Sequence, residues 1–112
     1  MAGVVFHLNE ADPVKHQMVI RNMRNVKQEM PDLFVELVVH GPGINLAVVD
    51  KSTLFEEVKD LLAHGVRIAV CQNTMTAQHI TPEQLLPGMT VVPAGIAEII
   101  QRQQEGFSYV KP

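Results

Sequence analysis

The sequence predicts one α/β domain over residues 1–112, built on a mostly parallel five-stranded sheet with helices on both faces. Three observations predict it. Short apolar runs alternate with amphipathic segments along the whole chain. Several runs are continuous, the pattern of strands buried on both faces. Pro and Gly fall between segments as punctuation and do not collect into a linker. Two separate cores would have ~55 residues each and would be marginal. Strands joined by helical crossovers pair in parallel, with right-handed connections.

The elements follow in order. Residues 3–8 read as a first strand. Asp12 is a helix N-cap with Pro13 at the first helical position. Val19, Met23, Val26 and Met30 form the apolar stripe of that helix, and Pro31 stops it. Residues 34–40 are a second strand, ending at Gly41-Pro42-Gly43. An extended piece over 44–49 leads to a second helix near Ser52 or Thr53, where Thr53 and Glu56 have capping-box spacing. Leu54, Val58, Leu61 and Leu62 carry its buried face, and Gly65 closes it. Residues 66–70 are a third strand terminated by Cys71. Residues 72–76 are a loop entering a short helix, with Asn73 and Thr74 as candidate caps. A small helix fits residues 81–86, and Pro87-Gly88 turns the chain. Residues 90–92 are a fourth strand. Pro93 and Ala94 open a last helix whose inner face reads as Ile96, Ile99, Ile100 and Gln103. Gly106 ends it, and residues 107–110 are a fifth strand.

Composition removes several functions. Twelve acidic against nine basic residues give a net charge of −3, which argues against nucleic acid or an anionic membrane as partner. Aromatics are 4% with no Trp, too few for a base-stacking platform. No apolar run approaches the ~20 residues that span a bilayer. No basic, apolar leader opens the chain, and the one cysteine is unpaired, so the cytoplasm is the expected compartment. One cysteine excludes an internal disulfide and an all-cysteine zinc site. No two histidines have the i, i+4 spacing of a zinc helix. Neither metal nor cofactor is expected. Charged residues are only 19%, below the ~25% of ordinary soluble domains, which points to a surface partly covered by other subunits.

In an open parallel sheet, ligands and reactive groups gather beyond the carboxyl ends of the strands. That rim collects His7, His40 and Cys71. Cys71 precedes a helix start whose free N–H groups could steady a thiolate. The alternative is a buried, inert cysteine. His40 is either a proton acceptor or electrostatic partner of Cys71, or a polar cap on its strand. His16, His64 and His79 read as helix-surface or loop residues. Gly41 and Gly43 either form a tight turn of unusual dihedrals or shape a pocket wall with Asn73 and Thr74. Glu36, on an otherwise apolar strand, must be paired, at a sheet edge or at a subunit interface, and the edge or interface is the favoured reading. No well-placed acid completes a hydrolase triad.

The blocks Val38-Val39-His40-Gly41-Pro42-Gly43, Gly65 to Thr74 around Cys71, and Pro93-Ala94-Gly95-Ile96-Ala97-Glu98-Ile99-Ile100 resemble small DsrE-like (DsrE/DsrF-like) proteins. The terminal run from Gly106 to Pro112 fits as well. The resemblance spans nearly the whole chain and implies a three-layer α/β/α sandwich assembled into trimers or hexamers. It also implies sulfur transfer. Relatives in sulfur oxidation and transfer-RNA thiolation pass sulfur as a persulfide on a cysteine after the third strand, where Cys71 falls. Those relatives work in multi-subunit complexes and differ around the cysteine, and this chain looks closer to the stand-alone branch. Two functions follow as expectations. One is a sulfur carrier between donor and acceptor proteins, with Cys71 and His40 reactive. The other is a non-catalytic oligomeric module holding a small ligand at His7, Gly41, Gly43, Asn73 and Thr74, with Cys71 structural.

Overall fold

The computed structural model describes residues 2–112. Its sheet holds five parallel strands: β1 (Gly3–Leu8), β2 (Phe34–Val39), β3 (Arg67–Cys71), β4 (Thr90–Val92) and β5 (Ser108–Val110). Their order is β4-β3-β2-β1-β5. Four helices connect them: α1 (Pro13–Glu29), α2 (Phe55–Ala63), α3 (Gln72–Ala77) and α4 (Gly95–Gln104). Side chains alternate across the strands and split the interior into two cores. Val4, Phe6, Leu8, Leu37, Val39, Ile68 and Val70 meet α1, α2 and α3 through Val19, Met23, Val58, Leu61 and Met75. Val5, Val38, Ala69 and Val92 meet Ile99 of α4. The expected three-layer architecture is present, but one layer is a single helix.

The local chemistry explains most boundaries. Asp12 Oδ1 accepts a hydrogen bond from the Val14 N–H at 2.9 Å, with Pro13 next in line. Thr81 and Gln84 form a capping box around one 3₁₀ turn, Pro82–Gln84, shorter than the helix expected over 81–86.

Several expectations are corrected. Residues 44–49 are not extended: Gly41–Ala47 is a 3₁₀ segment. Gly43 permits this path, because a Cβ there would lie 2.2 Å from the Leu8 carbonyl oxygen. The segment therefore crosses against the end of β1 and buries Ile44, Leu46 and Ala47. α2 begins at Phe55 and has no Thr53–Glu56 box; the Ser52 hydroxyl accepts from the Leu54 N–H instead. Met30 is exposed, since the backbone has already left the helix there. His16 is buried, its Nε2 paired with the Glu10 carbonyl at 2.7 Å. Ile96 and Ile100 are 51% and 50% exposed. The inner face of α4 is Gly95, Ile99 and the charged Glu98 and Arg102.

Those charges resolve Glu36. It lies on the central strand β2, at neither an edge nor an intermolecular boundary, and is 0% exposed. Its carboxylate accepts from Arg67 Nε at 3.1 Å and Arg102 Nε at 2.6 Å. Glu98 closes the group, 3.3 Å from Arg102 and 3.6 Å from Arg67. Phe34 and Phe107 flank the Arg102 guanidinium at 5.3 and 5.1 Å, a cation–π setting that suits a half-desolvated arginine. Burial raises the Glu36 carboxyl to about 7, and the Glu98 carboxyl adds to this while Arg102 opposes it.

Candidate functional site

Cys71 ends β3 and is itself the N-cap of α3, which starts at Gln72 with no intervening loop. Asn73 and Thr74 are therefore inside the first turn and do not cap it through their side chains. Their backbone N–H groups point back at the sulfur, and the N–H of Gly95, first residue of α4, approaches it from the other side. The Thr74 hydroxyl completes the cradle. The Gly41 N–H donates to Thr74 Oγ1 at 2.8 Å, which leaves the hydroxyl proton free for the sulfur. Gly41 reaches this position with φ +53°, the unusual dihedral expected of the turn.

This geometry sets the acidity of the thiol. Burial pushes it up, because the residue is 5% exposed. The Thr74 hydroxyl and the N–H groups of Gly95, Thr74 and Asn73 favour the anion and outweigh burial, so the thiol lies below its ordinary range.

The histidines stand beside it. β2 and β3 are in register at Val39 and Val70, so the next step places His40 alongside Cys71. A Cβ built on Gly95 would be 3.2 Å from His40 Cβ and 3.4 Å from Cys71 Cβ, so glycine lets α4 start this close without pushing either residue aside. His7 Nε2 lies 2.5 Å from His40 Nε2, with ring centroids 4.7 Å apart and ring planes 17° from parallel, so the rings meet end to end. His7 Nδ1 lies 2.6 Å from the Tyr109 hydroxyl. Burial lowers His7 to about 4, helped by His40 and Lys111, and lowers His40 with help from Lys111. Both rings are neutral at pH 7.

The structure thus brings Cys71, His40, His7, Thr74, Gly41 and the Asn73 backbone to one rim. Gly43 packs inward against Leu8. Gly95, Tyr109 and Lys111 are the additions that sequence reasoning missed. Gly95 carried a readable signal, as the first residue of a helix directly after a strand. No group of three or more His, Cys, Asp or Glu among the described residues is arranged to hold a metal. Two open grooves of about 200 and 320 Å³ run between α1 and α2 and touch none of these residues. No described helix is long and apolar enough to cross a membrane.

Comparison with known proteins now has a geometry to rest on. A protein of unknown function from Methanobacterium thermoautotrophicum, MTH1491, is 34% identical over the full length of both chains, with a TM-score of 0.95. The ychN protein of E. coli shares the fold at 13% identity and TM-score 0.83, also over both full chains. BT1422 of Bacteroides thetaiotaomicron, of unknown function, shares it at 16% identity and TM-score 0.78, over 98% of this chain and 94% of the other. No curated protein matches. The model of the DsrE/DsrF-like family matches residues 4–112, and the chain belongs to that family.

Proposed function

We propose that the protein carries sulfur as a persulfide on Cys71. The observation that carries this reading is the cradle: three backbone N–H groups and one hydroxyl converge on the only thiol in the chain. Membership of the DsrE/DsrF-like family supports a sulfur-relay role. In loading, the Cys71 thiolate attacks the outer sulfur of a donor persulfide. The Cys71 S–S bond forms, the donor S–S bond breaks, and the donor sulfur leaves as a thiol with the persulfide's proton, so the new Cys71 persulfide carries the negative charge. In discharge, an acceptor thiolate attacks the outer sulfur and Cys71 leaves as the thiolate. With one cysteine in the chain, discharge goes to another molecule, so separate donor and acceptor proteins are part of the proposal. So is a reducing compartment, the cytoplasm.

Intact mass after anaerobic incubation with a persulfide donor tests it. One added sulfur is expected on the wild type and none on Cys71→Ser. A wild type that stays unloaded while a reactive control protein loads sinks the reading.

The 5% exposure of Cys71 favours a second reading, an oligomeric module that holds a small ligand and uses the thiol for packing. Alkylation separates the two. Labelling of the native protein with a depressed apparent pKa supports sulfur transfer, and labelling only on unfolding supports the module.

Both readings include a homo-oligomer, a trimer or hexamer. Its support is the apolar outer side of α4, where Ile96 and Ile100 are half-exposed. Ile96→Asp with Ile100→Asp is expected to leave a folded chain of monomer mass in sedimentation. An unchanged mass would remove α4 from the interface.

A further inference from the structure

Two ring nitrogens 2.5 Å apart hold one proton between them. Two N–H groups would collide there, and two lone pairs would repel. Neutral His7 and His40 therefore have complementary tautomers: one carries its proton on Nε2, the other on Nδ1. Tyr109 decides which. Its hydroxyl is 2.6 Å from His7 Nδ1. A phenol O–H is a better donor than a neutral imidazole N–H, and an imidazole lone pair is a better acceptor than a phenol oxygen. Tyr109 thus donates to His7 Nδ1, which leaves the His7 proton on Nε2. His7 in turn donates to His40 Nε2, which leaves the His40 proton on Nδ1.

We propose that Tyr109 is a positioning residue that acts through His7 to hold His40 as its Nδ1–H form, so that His40 is a hydrogen-bond donor to sulfur bound on Cys71 and not a base. The sulfur half rests on the persulfide reading above. The thiol sulfur already has Thr74, Asn73 and Gly95 as partners, and His40 is not among them. A persulfide adds a second sulfur about 2 Å farther out, and that atom lacks a partner in the cradle. His40 is the next residue along the rim. With Nε2 engaged by His7, Nδ1 is its one ring nitrogen left to meet that sulfur. Burial lowers both histidines and Lys111, held by Asn9 at 3.1 Å and Glu10 at 3.7 Å, adds to it, so both rings stay neutral.

Long-range ¹H–¹⁵N spectra of the histidine rings at pH 7 test this on the full chain, with His40 assigned from His40→Gln. The expected wild-type pattern is a protonated Nδ1 and bare Nε2 on His40, and the reverse on His7. Tyr109→Phe keeps the ring of a half-exposed edge residue and removes only the donor. His40 should then move toward a mixture of both tautomers. A wild-type His40 protonated on Nε2, or identical His40 shifts in Tyr109→Phe, overturns the assignment. For the sulfur half, loaded Tyr109→Phe is expected to discharge to a small thiol about two-fold more slowly than loaded wild type, because a tautomer mixture leaves about half the molecules without the hydrogen bond. Equal rates overturn that half. A wild type that never loads overturns the persulfide reading alone, and the spectra still decide Tyr109.

Discussion

Thr74 shows how one side chain can serve two neighbours. It accepts from the Gly41 backbone and donates to the Cys71 sulfur, so the turn after β2 and the thiol after β3 are tuned together. Thr74→Val keeps the shape and removes both bonds. The apparent pKa of Cys71 alkylation is expected to rise by about one unit, the weight of a hydrogen bond to a charged group. An unchanged pKa would leave the backbone N–H groups as the whole cradle. The meeting of Cys71 and His40 was legible before any coordinates, because parallel strands end on one rim. Tyr109 was not. Its neighbour is His7 only because β5 adds beside β1, and strand order leaves no trace in local hydropathy. Nor was Thr74's role, since a residue that suits a helix cap was found one turn inside.

At the scale of elements, α4 is the piece that spacing misreads. Ile96, Ile99 and Ile100 look like one apolar stripe, yet only Ile99 is buried. The sheet side belongs to Glu98 and Arg102 because Glu36 waits for them in the centre of β2. Local periodicity cannot express a buried carboxylate whose partners arrive 31 and 66 residues later. The same partners tie α4 down, and Gly95 sets how near its first turn comes. Gly95→Ala would press a methyl within 3.2 Å of Val38 and His40 and 3.4 Å of Cys71. It is expected to cost about 1–3 kcal/mol in urea unfolding, the range for overpacking. It should also raise the Cys71 pKa by moving the Gly95 N–H outward. A loss of stability with an unchanged thiol pKa would show that α4 does not touch the sulfur.

For the molecule as a whole, two sets of groups on the α4 face of the sheet impose opposite pH dependences. His7 titrates near 4 when folded, below its ordinary 6.5. Its stabilising contribution is complete above about 6.5 and is lost as the pH falls through 4. His40 shifts in the same direction. Glu36 titrates near 7 when folded, above its ordinary 4.5. Its contribution is complete below 4.5 and is lost as the pH rises through 7. Between 4.5 and 6.5 the two oppose, and urea midpoints of the wild type should change little there. Glu36→Gln removes one side of the balance. Its midpoint is expected to climb with pH over that interval more steeply than the wild type's, and equal slopes would show Glu36 ionised throughout. The alternation of strands and helices made this layered architecture legible from sequence. The uneven division of charge between its faces was not, because it depends on which way each helix turns.

The placement of β5 beside β1 also orders events in time. Val4 pairs with Ser108 and Phe6 with Val110, so the first strand made must keep one edge open until the last has been synthesised. Closing so long a loop is slow relative to the local pairings that precede it. Tyr109 rides on that last strand. The cradle around Cys71 can assemble from β3, α3 and α4 alone, but His7 meets the Tyr109 hydroxyl only at the final step. A nascent chain would thus hold the Cys71 cradle before Tyr109 reaches His7.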